Sequence, residues 1–426
     1  MQRRGVEATV IGEFNDSGRC QVNFNGKKIM DLELDFLHDG LPDRHLESIF
    51  TQTKYPEPVL SKVGDLTETL IEVMGSLNMS GFEFVSGQYD HEVQGGSVLK
   101  PIIGRGRVNS DASVIKPLFN SEKGIAISQS LYPHYSDIDT YDMAAAAIDT
   151  AVRNLICVGT NPDKIALLDN FCWCSPNDPQ RLGELKRAVK ACFDMSIVYE
   201  TPFISGKDSM YNDFRGFDET GKTANISIPP TLLISSIGVV EDVKKSVSLD
   251  FKSAGDLIYV LGETFDELGA SEYFRYLAAK NNGRAIGNSL PKVDSKKNLK
   301  LYSKVAKAIS QELVTAAIAP ASGGLAAALL KMSVGGSLGI NVDASKLKGK
   351  TSREDLAIFS ESQGRFVVTV DPIQKSKFEK ILEGVKFSLV GVVTDDDFVI
   401  SSSKKILVKT STDSLKNAYK ERFANF

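Results

Sequence analysis

Cysteine is scarce in this chain. Five in 426 residues is an odd number, and Cys20, Cys157, Cys172, Cys174 and Cys192 do not compose a disulfide framework. Cys172-x-Cys174 is one residue short of the usual metal or redox pair, so reduced thiols of a cytoplasmic protein are expected. Histidine is scarcer: His38, His45, His91 and His134 are the four, and none stands at metal-ligand spacing. No Ser/His/Asp arrangement can be argued from residue order. There is no run of about twenty apolar residues, the length a membrane-spanning helix needs, and "MQRRGVEATV" has no apolar signal core. Basic residues are not in surplus: 50 against 54 acidic gives a net charge of −4, without the basic face of a nucleic-acid protein. Neither a membrane nor nucleic acid is therefore an expected partner. The phosphate-loop spacing G-x-x-x-x-G-K-[ST] is absent as well.

What is present is a large potential core, 42% hydrophobic residues in a chain long enough for two or three domains. Residues 7–36 alternate as "EATVIGEF", "RCQVNF" and "KKIMDLEL", divided by Asn15-Asp16-Ser17-Gly18 and Asn25-Gly26, which predicts strands without a covering helix. They read as the tail of a domain whose earlier part is missing. "DLTETLIEVMGSL" has helical spacing. "DMAAAAIDTAVRNLICVG" predicts a strong helix with Asp142 as N-cap. The strand "KIALLDN" follows, then a helix from about Arg181 with Leu182, Leu185, Val189 and Phe193 on one side. Strands run into "FISG" and through "TLLISSIGVV". A second unit starts near Asp256 with "DLIYVLG". It continues with helices near 303–313, 325–332 and 373–384 and the strands "SLGINV", "RFVVTV" and "FSLVGVV". The lysine-rich 292–307 stretch reads as a solvated loop and helix face.

Two strand ends carry chemistry. Asp169 closes an apolar strand, where an acid faces a ligand crevice or caps a loop. Gly206-Lys207-Asp208-Ser209 closes another. A glycine lets backbone amides approach a phosphate, lysine adds a point charge and aspartate can hold Mg²⁺, yet a plain glycine turn has the same sequence. Gly323-Gly324 opens a helix, either offering free amides to a phosphate or only packing closely. Glu361-Ser362-Gln363-Gly364-Arg365 reads equally as a ligand-contact segment or an exposed loop.

With these residues the chain resembles the carboxyl-terminal half of the phosphoribosylformylglycinamidine synthase family. The resemblance rests on "FLHDGLP", "KYPEPVL", "QYDHEVQGGSVLKP", "YDMAAAAIDTAVRNLICVGTNP", "ALLDN", "TPFISGKDSMYNDF", "IPPTLLISSIGVVEDV", "GDLIYVLGETFDELGASEY" and "FSESQGRFVVTV", in that family's order from residue 5 to about 400. It implies an α+β or α/β fold, a tandem aminoimidazole ribonucleotide synthetase-like domain pair. A β-segment (1–49), a sheet domain (50–248) and a second α/β domain (249–426) are expected. It implies an ATP- and Mg²⁺-using ligase that activates the formyl amide of a ribonucleotide for attack by glutamine-derived ammonia. The expected partners are the missing amino-terminal half, a glutaminase subunit and a small bridging subunit.

Carried over by motif position, Asp169 and Gly206 would bind nucleotide, Lys207 would be catalytic and Ser209 would meet the ribonucleotide. Asp208 would take the metal role that asparagine has in the shorter members' Gly-Asn-Val-Ser. A second nucleotide site would hold metal through Asp111 and Asn154. Its other ligand positions here are Thr150 and Ala319, in place of the family's glutamate and aspartate, so this site is expected to be degenerate. Two other readings stand beside this one: a self-sufficient homodimer of the same superfamily, and a non-catalytic nucleotide-binding scaffold.

Overall fold

A computed structural model of the chain describes residues 2–88, 92–281 and 283–426. His91 and part of the "QYDHEV" segment lie outside them. The chain forms two compact units, Met1–Glu47 and Ser48–Phe426.

In the first unit, β1 (Arg19–Phe24) and β2 (Lys27–Glu33) pair antiparallel around the Asn25-Gly26 turn, and α1 (Leu34–Asp39) follows. Both turn residues have positive φ, the conformation a tight hairpin demands and Asn-Gly supplies at low cost. The strand expected at "EATVIGEF" does not form: these residues have no regular structure and are exposed. Alternation alone does not hold a strand that has no ladder to join.

In the second unit the chain first forms α2 (Thr67–Met74). A six-stranded sheet is then built from β3 (Ser97–Leu99), β4 (Ala112–Ile115), β5 (Gly124–Ser130), β6 (Ile165–Cys172), β7 (Phe203–Ser209) and β8 (Thr231–Val240), in the order β3-β4-β5-β8-β6-β7. Only β6 and β7 pair parallel. One face is covered by α3 (Thr140–Cys157), against which α4 (Pro179–Tyr199) packs. The alanine run Ala144–Ala147 is buried. Small side chains let the helix lie close to its neighbours on every side.

The N-cap of α3 is Asp139, whose carboxylate accepts from Tyr141 N at 2.8 Å. Asp142, the expected cap, lies inside the first turn and pairs with Lys292. On α4 the second half of the expected apolar stripe turns outward: Val189 is 49% and Phe193 60% exposed, Leu182 and Leu185 are part-buried, and Ala188, Ala191, Cys192 and Met195 are buried. The other face of the sheet leaves Ile115 and Ile127 exposed.

A seven-stranded sheet follows, made of β9 (Leu257–Leu261), β10 (Ala316–Ile318), β11 (Gly339–Asp343), β12 (Phe366–Val370), β13 (Phe387–Thr394), β14 (Asp397–Ser402) and β15 (Lys405–Ser411). Its order is β10-β12-β9-β13-β11-β14-β15. The helices associated with it are α5 (Glu272–Lys280), α6 (Ser295–Ser310), α7 (Gly324–Gly336), α8 (Glu354–Phe359), α9 (Lys375–Ile381) and α10 (Thr412–Glu421). The five cysteines are free thiols. Among the described residues no helix is long and apolar enough to cross a membrane.

Candidate functional site

The stretch Gly206–Ser209 is strand, not a turn after one. β7 runs through Ser209 because β6 lies parallel beside it, with Asp169 opposite Gly206, Asn170 opposite Lys207, Phe171 opposite Asp208 and Cys172 opposite Ser209. The expected nest of free amides is therefore absent here. What the pairing creates is a two-sided edge. Strand side chains alternate between faces, so Asp169 and Asp208 share the face on which Phe171 is buried, and Lys207 and Ser209 share the opposite one with Asn170.

Gly206 has a local reason to be glycine. A Cβ there would stand 2.2 Å from Asp169 Oδ1, so the Asp169 carboxylate occupies the space that a side chain would need. Burial, and next the neighbouring Asp208 charge, raise the Asp169 pKa. Two carboxylates on one face of neighbouring strands are a place where a cation is stabilising. They fit Mg²⁺, which takes one or two protein carboxylates and completes its shell with water and substrate phosphates.

Beyond the strand, Trp173 N and Asn212 Nδ2 both donate to Ser209 O, and Ser175 N donates to Asp213 Oδ2 at 3.1 Å. Asp213 Oδ1 is buried without a hydrogen-bond partner. A buried acceptor left unpaired costs stability unless something fills the position. Asp213 thus joins the candidate site, although sequence reading singled out only its neighbours. The signal was its place in the same quoted stretch.

The second expected metal group does not fit a metal. Lys331 donates to the Asp111 carboxylate. Burial opposes the lysine charge, but Asp111 more than offsets it and the Lys331 pKa is raised. Asn154 donates its side-chain N–H to Ser128 Oγ at 3.1 Å. Thr150 Oγ1 is held by Tyr132, Gln363 and Arg153, and Ala319 offers no ligand atom. With an ammonium already on the one carboxylate of the group, a second cation there is disfavoured. Among the described residues no group of three or more His, Cys, Asp or Glu is arranged to hold a metal.

Gly323-Gly324 does begin a helix, with φ of 75° and 67°, but its amide is taken. Gly323 N donates to Glu361 Oε1 at 2.8 Å. Glu361 is buried, accepts also from Glu272 N at 3.0 Å and from Tyr135 Oη at 2.5 Å, and its pKa is pushed up to about 7 by burial and then by Glu272. The segment 361–365 is thus not an exposed loop. Glu361, Ser362, Gln363 and Arg365 are all buried. Arg153, also fully buried, binds Asp149 at 2.7 Å and the Pro320 carbonyl at 2.9 Å. Asp149 in turn accepts from Tyr199, Tyr302, Asn298 and Gly364 N. This network locks α3 to the loop that enters β12.

The profile described as "AIR synthase related protein, N-terminal domain" matches residues 109–240, and "AIR synthase related protein, C-terminal domain" matches 253–402. "Phosphoribosylformylglycinamidine synthase subunit PurL" of Methanocaldococcus jannaschii is 32% identical over 424 residues, which are 98% of this chain and 55% of that protein. Two solved structures share the fold. "T. maritima PurL complexed with FGAR" has a TM-score of 0.62 at 16% identity, covering 83% of this chain and 53% of that one. "T. maritima PurL complexed with ATP" has a TM-score of 0.57 at 16% identity, covering 83% and 52%. The chain spans about half the length of the relatives it matches.

Proposed function

Because the chain belongs to the AIR synthase related family and carries that family's N-terminal and C-terminal domains in tandem, we propose that it acts as one half of an ATP-dependent carbon–nitrogen ligase, the synthetase of phosphoribosylformylglycinamidine synthase. The observation that carries this reading is alignment along 98% of the chain with barely more than half of a PurL subunit. In this reading ATP phosphorylates the formyl amide oxygen of formylglycinamide ribonucleotide. Ammonia from a glutaminase then adds to the carbon, and phosphate departs with the former amide oxygen. An amide oxygen leaves poorly until it is phosphorylated, which is why ATP is spent.

The residues divide by face. Because β7 is the edge strand of its sheet, Lys207 can reach from one face to the phosphoryl group that Asp169 and Asp208 meet from the other, and Ser209 beside Lys207 meets the ribonucleotide. Asp169, set by Gly206, orients the nucleotide. Asp169 and Asp208 would hold Mg²⁺, which when bound neutralises phosphate charge. The exposed Ile115 and Ile127 support covering of the open sheet face by the other half, which completes the site. A bridging subunit, a cytoplasmic location and domain limits near 49/50 and 248/249 belong to the same reading.

The test is reconstitution. The purified chain with ATP, the ribonucleotide and ammonia should yield no amidine, and addition of the first half should restore it. In the restored enzyme, Lys207→Ala should lower turnover by about 10²–10³, the usual effect of removing one transition-state electrostatic contact. Ser209→Ala should instead raise the Michaelis constant for the ribonucleotide. Robust turnover by the chain alone, or an unchanged kcat in Lys207→Ala, would sink the reading.

A further inference from the structure

A cleft of about 980 Å³ opens at one end of the seven-stranded sheet, away from β6 and β7. Its position follows from topology. Leu261, the last residue of β9, pairs with Phe366 at the start of β12 on one side and Phe387 at the start of β13 on the other. The loops at that end of three adjacent central strands converge there, around Gly262–Phe265, Gln363-Gly364 and Gly384–Lys386, and the beginning of α6 closes the fourth side. Gly262, Gly364 and Gly384 have φ of 94°, 71° and 81°, a conformation that any other residue adopts only under strain. A Cβ on Gly262 would stand 2.6 Å from Gly364 O. The rim is thus a set of tightly apposed, preformed turns.

The wall charge is unbalanced. Five lysines line the cleft, Lys292, Lys296, Lys297, Lys300 and Lys386, against Glu263, Glu267 and Asp294. Lys297 is satisfied by Glu263 and Lys292 by Asp142. Glu267 accepts from Ser362 Oγ and Lys292 N, and Asp294 caps α6 by accepting from Lys297 N at 3.2 Å. Lys296, Lys300 and Lys386 have no acidic partner among the described residues. Lys296 and Lys300 are one turn apart on α6, where like charges repel. Lys300 Nζ would lie only 3.4 Å from a Cβ on Gly384, which brings it over the turn that carries Lys386. Below these cations the floor is apolar: Val293, Leu301, Val385 and Phe265. Read from sequence these lysines were a solvated face. The fold turns them into the rim of a concavity of ligand size.

We propose that this cleft is a binding site for a small phosphorylated metabolite of the nucleoside diphosphate class, its phosphates among Lys296, Lys300 and Lys386 and its ring on the apolar floor. The site is separate from the one built on Asp169 and Lys207 and does not depend on the function assigned to that one.

The experiment is calorimetric titration of the full chain with ADP and with inorganic pyrophosphate, without divalent metal. The variants are Lys296→Glu/Lys300→Glu, Lys296→Arg/Lys300→Arg and Lys207→Ala. The expected result is that both probes bind, ADP the tighter because pyrophosphate has no ring for the floor. Affinity should fall at least about tenfold in the glutamate pair, a loss of roughly 1.4 kcal/mol, persist in the arginine pair and persist in Lys207→Ala. All substituted positions are exposed, so circular dichroism should show intact folding. Overturning results are binding weaker than millimolar by the unaltered chain, equal affinity in the glutamate pair, or loss of binding in Lys207→Ala, which would return the ligand to the first site.

Discussion

Replacing Glu361 by glutamine should change how stability depends on pH, and the sign can be worked out. Glu361 is buried with three donors around it, and its pKa stands at about 7 against an ordinary 4.5. The folded chain holds that proton to near neutrality, whereas the unfolded chain releases it at the ordinary, lower pH. The resulting stabilisation is fully present below pH 4.5 and disappears as pH rises through about 7. At 1.36 kcal/mol per unit this amounts to roughly 3 kcal/mol.

His134, which lines a small cavity together with Tyr135, Glu272 and Glu361, works in the other direction. Burial, and then Arg275, depress its pKa from 6.5 to about 4. The unfolded chain therefore binds the additional proton, and stability rises with pH between those values. His134 is only part-buried, so solvent screening reduces its contribution. The two slopes oppose each other, and the native protein should show a shallow dependence. In Glu361→Gln the new amide oxygen would still accept from Gly323 N and Glu272 N, and the amide nitrogen would face Tyr135, without a titrating proton. Denaturant midpoints for Glu361→Gln and native protein should therefore diverge with pH. Relative to the variant, the native chain should lose on the order of 3 kcal/mol between about pH 4.5 and 8. A difference that stays constant with pH would refute the reasoning, and so would a native chain that gains on the variant as pH rises.

Gly206→Ala should push Asp169 away from its position 2.2 Å from the new methyl and weaken nucleotide binding with little change in melting temperature; an unchanged nucleotide affinity would count against the assigned role. Arg153→Met should destabilise by about 3–5 kcal/mol, the usual effect of leaving a buried charge unpaired, because Asp149 remains fully enclosed; denaturant unfolding measures it, and a loss below about 1 kcal/mol would contradict the network. Lys331→Ala should free Asp111, so millimolar Mg²⁺ should raise the melting temperature of the variant more than that of the native chain. Equal shifts would mean that the lysine does not stand where a cation would.

Much of the architecture was legible locally. Periodicities of two and 3.6 marked β6, β8, α3 and both sheets, since each element must turn an apolar side toward a core. Motif order carried the family and singled out Asp169 and Gly206–Ser209 as candidates. Other features depended on partners remote in sequence. Gly206 looked like the end of a strand because only β6, 37 positions earlier at Asp169, supplies the ladder that extends β7 to Ser209. "EATVIGEF" alternates as well as any strand here but finds no neighbour. Glu361 is locally a polar loop residue, and only the convergence of Tyr135, Glu272 and Gly323 makes it a buried cap. Asp111 meets Lys331 across 220 residues. Sequence by itself determined which segments could form elements and which chemistry they bear, because those depend on spacing within one helix turn or strand pleat. Which face meets solvent, which carboxylate is already neutralised and which lysines surround a cavity were decided by the tertiary structure, because burial and charge pairing exist only between segments that folding brings together.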